Sequence, residues 1–412
     1  LSDVQTTPGL LSPVARADRI LSLDVVRGLA VLGILAVNAM TFFWPHGVNA
    51  NPSLQLGWDA DAAFGWLIHD VFFRDKMRTL FSMLFGVSIF LVGGERSDRA
   101  RGGLLRSRLF WLGVFGVVHG AAFWFGDILL LYALTGFLML LVRSWSARTL
   151  LSVGTILYLV LSGLYVAMIF GMSQMPADQL QEAAREQGAA LTPEQLSAAI
   201  NAMTGDAWSV TMHQFQTWAS VVPFVAVAMI PVTASLMMIG LGLFKDGFLA
   251  GRAPAWSYLI SAAVAAGCLY LIWGESTAIE ASGFDFIQAA MRPYATFLVP
   301  LVSLGYASVL ILMVRFGLKI LLLPLISVGR MAFTNYLTQT LIMTTLAYGG
   351  RGLGWYGQIG WPDMWGIIIV VWILQLVWSP MWLTFFRMGP IEWIWRSLTY
   401  GRRLPLRRDA AA

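Results

Sequence analysis

The sequence predicts an all-α, polytopic membrane protein of about ten transmembrane helices, with both termini in the cytosol. Three observations carry that expectation. The 412 residues are 58% hydrophobic and only 12% charged, about half the charge of an ordinary soluble domain. Apolar runs of membrane-spanning length recur along the chain. The basic residues are distributed very unevenly among the intervening loops.

The first twenty residues, LSDVQTTPGLLSPVARADRI, are polar, contain proline and lack an h-region before their arginines. They read as a cytosolic tail (1–20), not a cleaved signal. Spans are expected at 24–44, 77–94, 105–125, 127–143, 149–172, 219–244, 256–274, 293–315, 324–348 and 364–386. An amphipathic piece at 61–75 is expected to lie in the interface or to dip in as a re-entrant helix. The spans group into an N-terminal bundle (21–172) and a C-terminal bundle (219–386), separated by a polar loop (173–218) and followed by a Trp/Arg-rich interfacial tail (387–412).

Placing the N-terminus inside puts ERSDRARGGLLRSR and the C-terminal arginines in the cytosol. Of 27 basic residues, only Arg74, Lys76, Arg78, Arg185, Arg292 and Arg351 then fall outside, which satisfies the positive-inside rule. The outer loop contains PADQLQEAAREQGAALTPEQLSAAI, read as one or two short amphipathic helices. TPEQ marks a helix start, with Thr192 as cap and Pro193 at the first position. A second outer loop is expected at 275–291.

Several function classes are excluded. A lone cysteine, Cys268, forms neither a disulfide framework nor a Cys-based metal site within one chain. No GxxxxGK[ST], HExxH or GxSxG motif is present, which argues against ATP-driven transport and zinc-protease chemistry in this chain. No metal site is predicted. The net charge of +5 reflects the loops, and no nucleic-acid partner is implied. No internal repeat of the kind common in transporters is visible.

The polar chemistry lies inside the spans, where ionisable residues are costly and default to functional candidates. In HGAAFWFGDILLLYALTG (119–136), the third span turns into the fourth at Gly126. His119 and Tyr132 are expected level with each other, about 10 Å below that turn. Asp127 fits both a helix cap and a chemical role. In the first span, Asp24 and Arg27 share a face and can pair, and Asn38 lies about 16 Å further out. His46 follows in the next loop. In FRDKMRTLFSMLFG, basic residues at the outer side suit lipid headgroups or an anionic substrate. His69 and Asp70 lie just upstream. The ninth span carries two polar rows, Arg330/Thr334/Thr338 and Asn335/Gln339, with Gln375 and Ser379 of the last span as candidate partners. Helix-to-helix bonding is the default there, and lining of a substrate cavity the alternative. The tail, with Trp393, Trp395, Arg402, Arg403, Arg407 and Arg408, suits an anionic interface.

SLDVVRGLAVLGILAVN, LFSMLFGVSIF, HGAAFWFGDILLLYALTG and GRMAFTNYLTQT…GPIEWIWRSLTYGRRLPL resemble the YeiB-like bacterial inner-membrane proteins over nearly the whole chain. The last ninety residues look like that family's C-terminal domain of unknown function. The N-terminal motif, followed by a helix ending in Asn, is also similar to heparan-alpha-glucosaminide N-acetyltransferase. That resemblance implies transmembrane transfer of an acetyl group from cytosolic acetyl-CoA to an acceptor on the far side. It carries Asp24, Arg27 and Asn38 over by position and makes His46 the rival of His119 as base.

The leading expectation is therefore an acyl-CoA-dependent acyltransferase of the bacterial inner membrane. His119 or His46 acts as base or acyl carrier, Asp127 orients it, and Asn38 and Tyr132 stabilise the oxyanion. Asp24, Arg27, Arg106, Arg108, Arg330, Asn335 and Gln339 are candidates for binding substrate and CoA. The alternatives are a proton-coupled transporter built on the same residues, and an accessory protein whose polar groups only pack helices. Beyond the bilayer, the acyl-CoA and an acceptor, homo-oligomerisation is left open.

Overall fold

The computed structural model describes residues 20–45, 48, 51–55, 57–186 and 191–408. Among them the regular structure is helical, with one isolated antiparallel bridge between Phe386 and Arg407. In chain order the α-helices are α1 (Leu21–Phe43), α2 (Ala60–Ile68), α3 (Lys76–Gly93), α4 (Arg99–Ala122), α5 (Leu129–Val142) and α6 (Ala147–Met172). The outer segment holds α7 (Ala177–Glu186) and α8 (Pro193–Thr204). There follow α9 (Ala207–Phe224), α10 (Ile230–Lys245), α11 (Ala255–Ala281), α12 (Phe286–Ala290) and α13 (Pro293–Arg315). The chain ends with α14 (Leu323–Arg330), α15 (Ala332–Ala347), α16 (Trp361–Phe385) and α17 (Pro390–Tyr400). This is an all-α polytopic membrane protein.

Seven helical stretches are long and apolar enough to cross a bilayer: α1, α2–α3, α6, α9–α10, α11, α12–α13 and α16. The other three expected spans each depart from the pattern for a physical reason. The 24 residues of α4 would reach across, but its first half carries Arg99, Arg101, Arg106 and Arg108. With 14 residues, α5 is short. The ninth span, 324–348, is broken at Met331 into α14 and α15. One face of each packs into a shared core containing Leu109, Leu112, Leu129, Tyr132, Phe333 and Tyr336. Protein, not lipid, solvates these faces, so they tolerate polar groups.

Three boundaries differ from expectation. Residues 61–75 are not an interfacial piece: α2 runs through a π-helical turn at His69–Phe73 into α3, and Trp66, His69, Asp70 and Val71 are buried. An aspartate with no exposed surface needs protein partners, which headgroups would not supply. At the joint, Asp75 has φ +60°, a left-handed conformation that costs a non-glycine residue about 1–2 kcal/mol. The helix expected from 219 already starts at Ala207, and α9 continues through a π-helical segment into α10. Within 275–291, α11 persists to Ala281 before α12. The outer helices and the Thr192 capping box, with Pro193 at the start of α8, agree with the reading of TPEQ.

Close backbone approach sets the register. A Cβ on Gly116 would lie 2.3 Å from the Leu130 nitrogen, so α4 and α5 touch there. Gly113 faces Ala133, and Gly136 faces Leu109. This pairing sets His119 opposite Asp127, and Tyr132 about 7 Å deeper. The expectation that His119 and Tyr132 are level is therefore corrected. The pairs Gly116–Leu130 and Gly113–Ala133 are symmetric about residue 123, not about Gly126. Gly28 and Gly329 play the same part between α1 and α14, where added Cβ atoms would meet the Leu325 and Asp24 carbonyls. That contact brings Arg27 and Arg330 to one end of the bundle.

Replacing Gly116 by leucine should destabilise the fold by about 1–3 kcal/mol through overpacking. Thermal unfolding in detergent checks this. Gly163→Leu, at a position where a Cβ meets open space, should leave the midpoint unchanged or higher.

Candidate functional site

His119 lies in the last turn of α4, Asp127 just before α5, and Thr340 in the middle of α15. The His119 Nδ1 is 2.8 Å from Asp127 Oδ1, and its Nε2 is 3.0 Å from Thr340 Oγ1. A carboxylate oxygen only accepts, so Nδ1 carries the proton and donates to Asp127. Nε2 then presents its lone pair, and the Thr340 hydroxyl donates to it. Asp127 Oδ2 accepts the Leu130 N–H at 2.9 Å. The carboxylate therefore caps α5 and orients the imidazole at once. His119 and Thr340 are 4% and 2% exposed, so the chain of hydrogen bonds operates without competing water.

A narrow cavity of about 130 Å³, open at one end, leads towards this group. Arg27, Arg108, Arg330 and Arg396 line it at the arginine-rich end of the bundle, together with Glu392 and Trp395. Its walls are apolar side chains of α1, α3 and α4. It ends at Ile128, Leu129, Tyr132 and Tyr336, next to Asp127 in sequence and one helical turn from Thr340. The Tyr336 ring lies 5.3 Å from the imidazole, and its buried hydroxyl sits beside the Ile128 backbone. Arg108 stacks on Trp395 at 4.0 Å. Glu392 accepts the N–H groups of Phe333 and Thr334, at 2.7 and 3.1 Å, and so holds the start of α15. Burial pushes the Glu392 carboxyl up, against the pull of the Thr334 hydrogen bonds.

The opposite end is sealed. Phe42 stacks on Trp124 with centroids 4.3 Å apart. Arg351, from the α15–α16 connection, donates to the Ala122 and Phe123 carbonyls at 2.8 and 3.1 Å. Gln214 of α9 accepts the Phe125 N–H at 3.1 Å.

The structure sorts the candidates drawn from the sequence. His119 and Asp127 are brought together. Tyr132 reaches the cavity, but its hydroxyl pairs with Ser82 at 2.9 Å and not with His119. Arg27 lines the cavity while bonding Asp24 at 3.0 Å. Arg108 and Arg330 also line it, whereas Arg106 is exposed and outside it. Asn38 is half-buried on α1 and is no part of the lining. Asn335 and Gln339 bond to α16 and are not in the cavity lining: Asn335 donates to Ser379 at 3.1 Å, and Gln339 to Gln375 at 2.9 Å. His46 lies outside the described residues.

Thr340, Tyr336 and Glu392 escaped the sequence reading. Tyr336, Thr340 and Thr344 form a third i, i+4 row on α15, visible in TNYLTQTLIMTT but indistinguishable there from packing threonines. Glu392 sits in GPIEW, where an acid after proline reads only as a helix start.

A second polar cluster fills the outer half of the bundle. The Asp70 carboxylate, fully buried, accepts two bonds from Arg292 at 2.7 and 2.5 Å, one from Arg74 at 3.1 Å and one from Ser276 at 2.6 Å. Lys76 donates to the Asp70 carbonyl at 2.7 Å. Glu275 lies 3.7 Å from the Arg292 Nε and caps α13 through the Tyr294 and Ala295 N–H groups. This network ties the π-turn to α11 and α13. Asp70→Ala should strand Arg292 and cost about 3–5 kcal/mol, with an apolar pair, Asp70→Leu with Arg292→Met, recovering most of it. Thermal unfolding of the three proteins tests that order.

Residues 241–402 match the family described as protein of unknown function (DUF418). The chain is 32% identical to the uncharacterized protein YeiB of Escherichia coli strain K12, covering 93% of this chain and 96% of the relative. It is 29% identical to the uncharacterized protein YxaH of Bacillus subtilis strain 168, covering 95% and 96%. An uncharacterized 39.9 kDa protein in the amylase 3′ region of Bacillus acidopullulyticus is 26% identical over 96% of this chain and 98% of its own. No solved structure matches. With a relative so similar along almost its whole length, the chain belongs to the YeiB-like DUF418 family of membrane proteins.

Proposed function

We propose that the protein is a transmembrane acyltransferase of the bacterial inner membrane. It would take an acyl group, acetyl in the simplest case, from cytosolic acyl-CoA and pass it to a hydroxyl or amine acceptor at or beyond the outer half of the bilayer. The observation that supports this reading is the cavity itself. It runs from four arginines along apolar walls to Tyr336, whose ring lies 5.3 Å from an oriented histidine.

An acyl-CoA matches that gradient of chemistry. Its phosphates suit guanidinium groups, which bind them through charge-assisted, often paired hydrogen bonds. Its thioester and acyl chain suit the apolar passage. At the inner end, His119 takes a proton through Nε2, and Asp127 holds the ring and stabilises the resulting cation. The Tyr336 hydroxyl is the donor for the carbonyl oxygen as charge builds on it. In an apolar, water-poor site each of these interactions counts for more than in solution, and hydrolysis of the thioester is suppressed.

Acetyl-CoA binding to the protein in lipid nanodiscs, read by calorimetry, tests the proposal. Arg27→Ala and Arg108→Ala should each weaken binding about tenfold or more, while Arg106→Ala, outside the cavity, should not. Absence of binding by acetyl-, butyryl- and palmitoyl-CoA alike would remove the reading.

A further inference from the structure

We propose, resting on the acyl-transfer reading, that Thr340 is the nucleophile that carries the acyl group, so that transfer proceeds through a threonyl ester. The geometry is that of a nucleophile, a base and an orienting acid. Thr340 Oγ1 lies 3.0 Å from His119 Nε2, and His119 Nδ1 lies 2.8 Å from Asp127 Oδ1. Another acceptor near the Thr340 hydroxyl is the Tyr336 carbonyl at 3.5 Å, a poorer partner than the imidazole. The lone pair of Nε2 points at Thr340 and Nδ1 is held by Asp127, so the imidazole has no free nitrogen for a thioester. The threonine oxygen is the atom it activates.

Access supports the same assignment. The donor cavity comes from the arginine-rich end and stops at Tyr336, one turn from Thr340. A separate narrow groove, lined by Asp127, Leu130, Trp218 and Val222, lies on the flank between α5 and α9. The far end is closed by the Phe42–Trp124 stack and by Arg351. Donor and acceptor therefore approach one buried group by different routes. A covalent intermediate lets them come in turn, with the first product gone before the second substrate binds.

The chemistry balances without a further reactant. The Thr340 oxygen forms a bond to the thioester carbonyl carbon while its proton passes to His119 Nε2. The carbon–sulfur bond breaks, and the CoA thiolate takes that proton and leaves as the thiol. The acceptor hydroxyl or amine then attacks the ester, gives its proton to Nε2, and Thr340 recovers it as the new acyl bond forms. Tyr336 lies between the cavity end and Thr340, one turn away on α15, and rotation of its ring is the motion that the first step requires.

The test needs no acceptor. Full-length protein in nanodiscs is mixed with radiolabelled acetyl-CoA, and both thiol release and bound label are followed. A burst of CoA thiol equimolar with protein is expected. The label should resist neutral hydroxylamine, as oxygen esters do, and map to the Thr340 peptide. Thr340→Ser should retain it. Thr340→Val should bind acetyl-CoA but lose the label, and His119→Gln should slow the burst about a hundredfold or more. Bound acetyl-CoA with no burst, or a label on His119 or Cys268, overturns the threonyl carrier and leaves the acyltransferase reading standing. Failure of the wild-type protein to bind any acyl-CoA overturns both. Because mapping is done on the wild type, poor folding of Thr340→Val does not decide the result.

Discussion

The rest of the site depends on one carboxylate in an apolar bundle. Asp127 has almost no contact with solvent, and a charge so placed persists only if protein groups replace its hydration. Two do so. The Leu130 N–H takes one oxygen and the His119 imidazole takes the other. Satisfying Asp127 therefore fixes both the start of α5 and the orientation of a base. The ring, once fixed, needs an acceptor's counterpart on its other nitrogen, which brings Thr340 and α15 into the same group. A constraint of solvation thus sets the geometry of the whole group without any extra device.

The apolar spans were legible because hydrophobic length is the dominant signal in a membrane chain. The spans bearing the candidate site were the least regular: α4 begins in arginines, α5 is short, and α14–α15 is interrupted at Met331. Those departures fit their packing, since a helix face covered by protein is released from the polarity that lipid demands. His119 and Asp127 stood out because an ionisable residue in an apolar run has no cheap explanation. Thr340 did not, because threonine serves helix packing as readily as chemistry, and only the neighbour tells them apart. Depth was misjudged for a related reason. Counting from Gly126 assumed a symmetric turn, whereas contact at Gly116 and Leu130 sets where the helices meet.

The two buried polar clusters make an instructive contrast. Around Asp70, each oxygen of the carboxylate meets a guanidinium of Arg292, with Arg74 and Ser276 beside it. The cluster works as a clamp on a π-helical joint and a left-handed residue. Around His119, the chain of bonds ends in the Thr340 hydroxyl, one turn from the end of a cavity. A network of ion pairs ties elements together, whereas a short chain of bonds beside a cavity leaves a group that a ligand can approach.

The last helix has a temporal consequence. Glu392 holds the start of α15, Trp395 supports Arg108, and the chain after α17 folds back so that the Arg408 N–H meets the Phe385 carbonyl. All of these contacts are made by residues near the end of the chain. In chain order the apolar spans precede this segment, so one wall of the cavity takes its shape only after they have been synthesised.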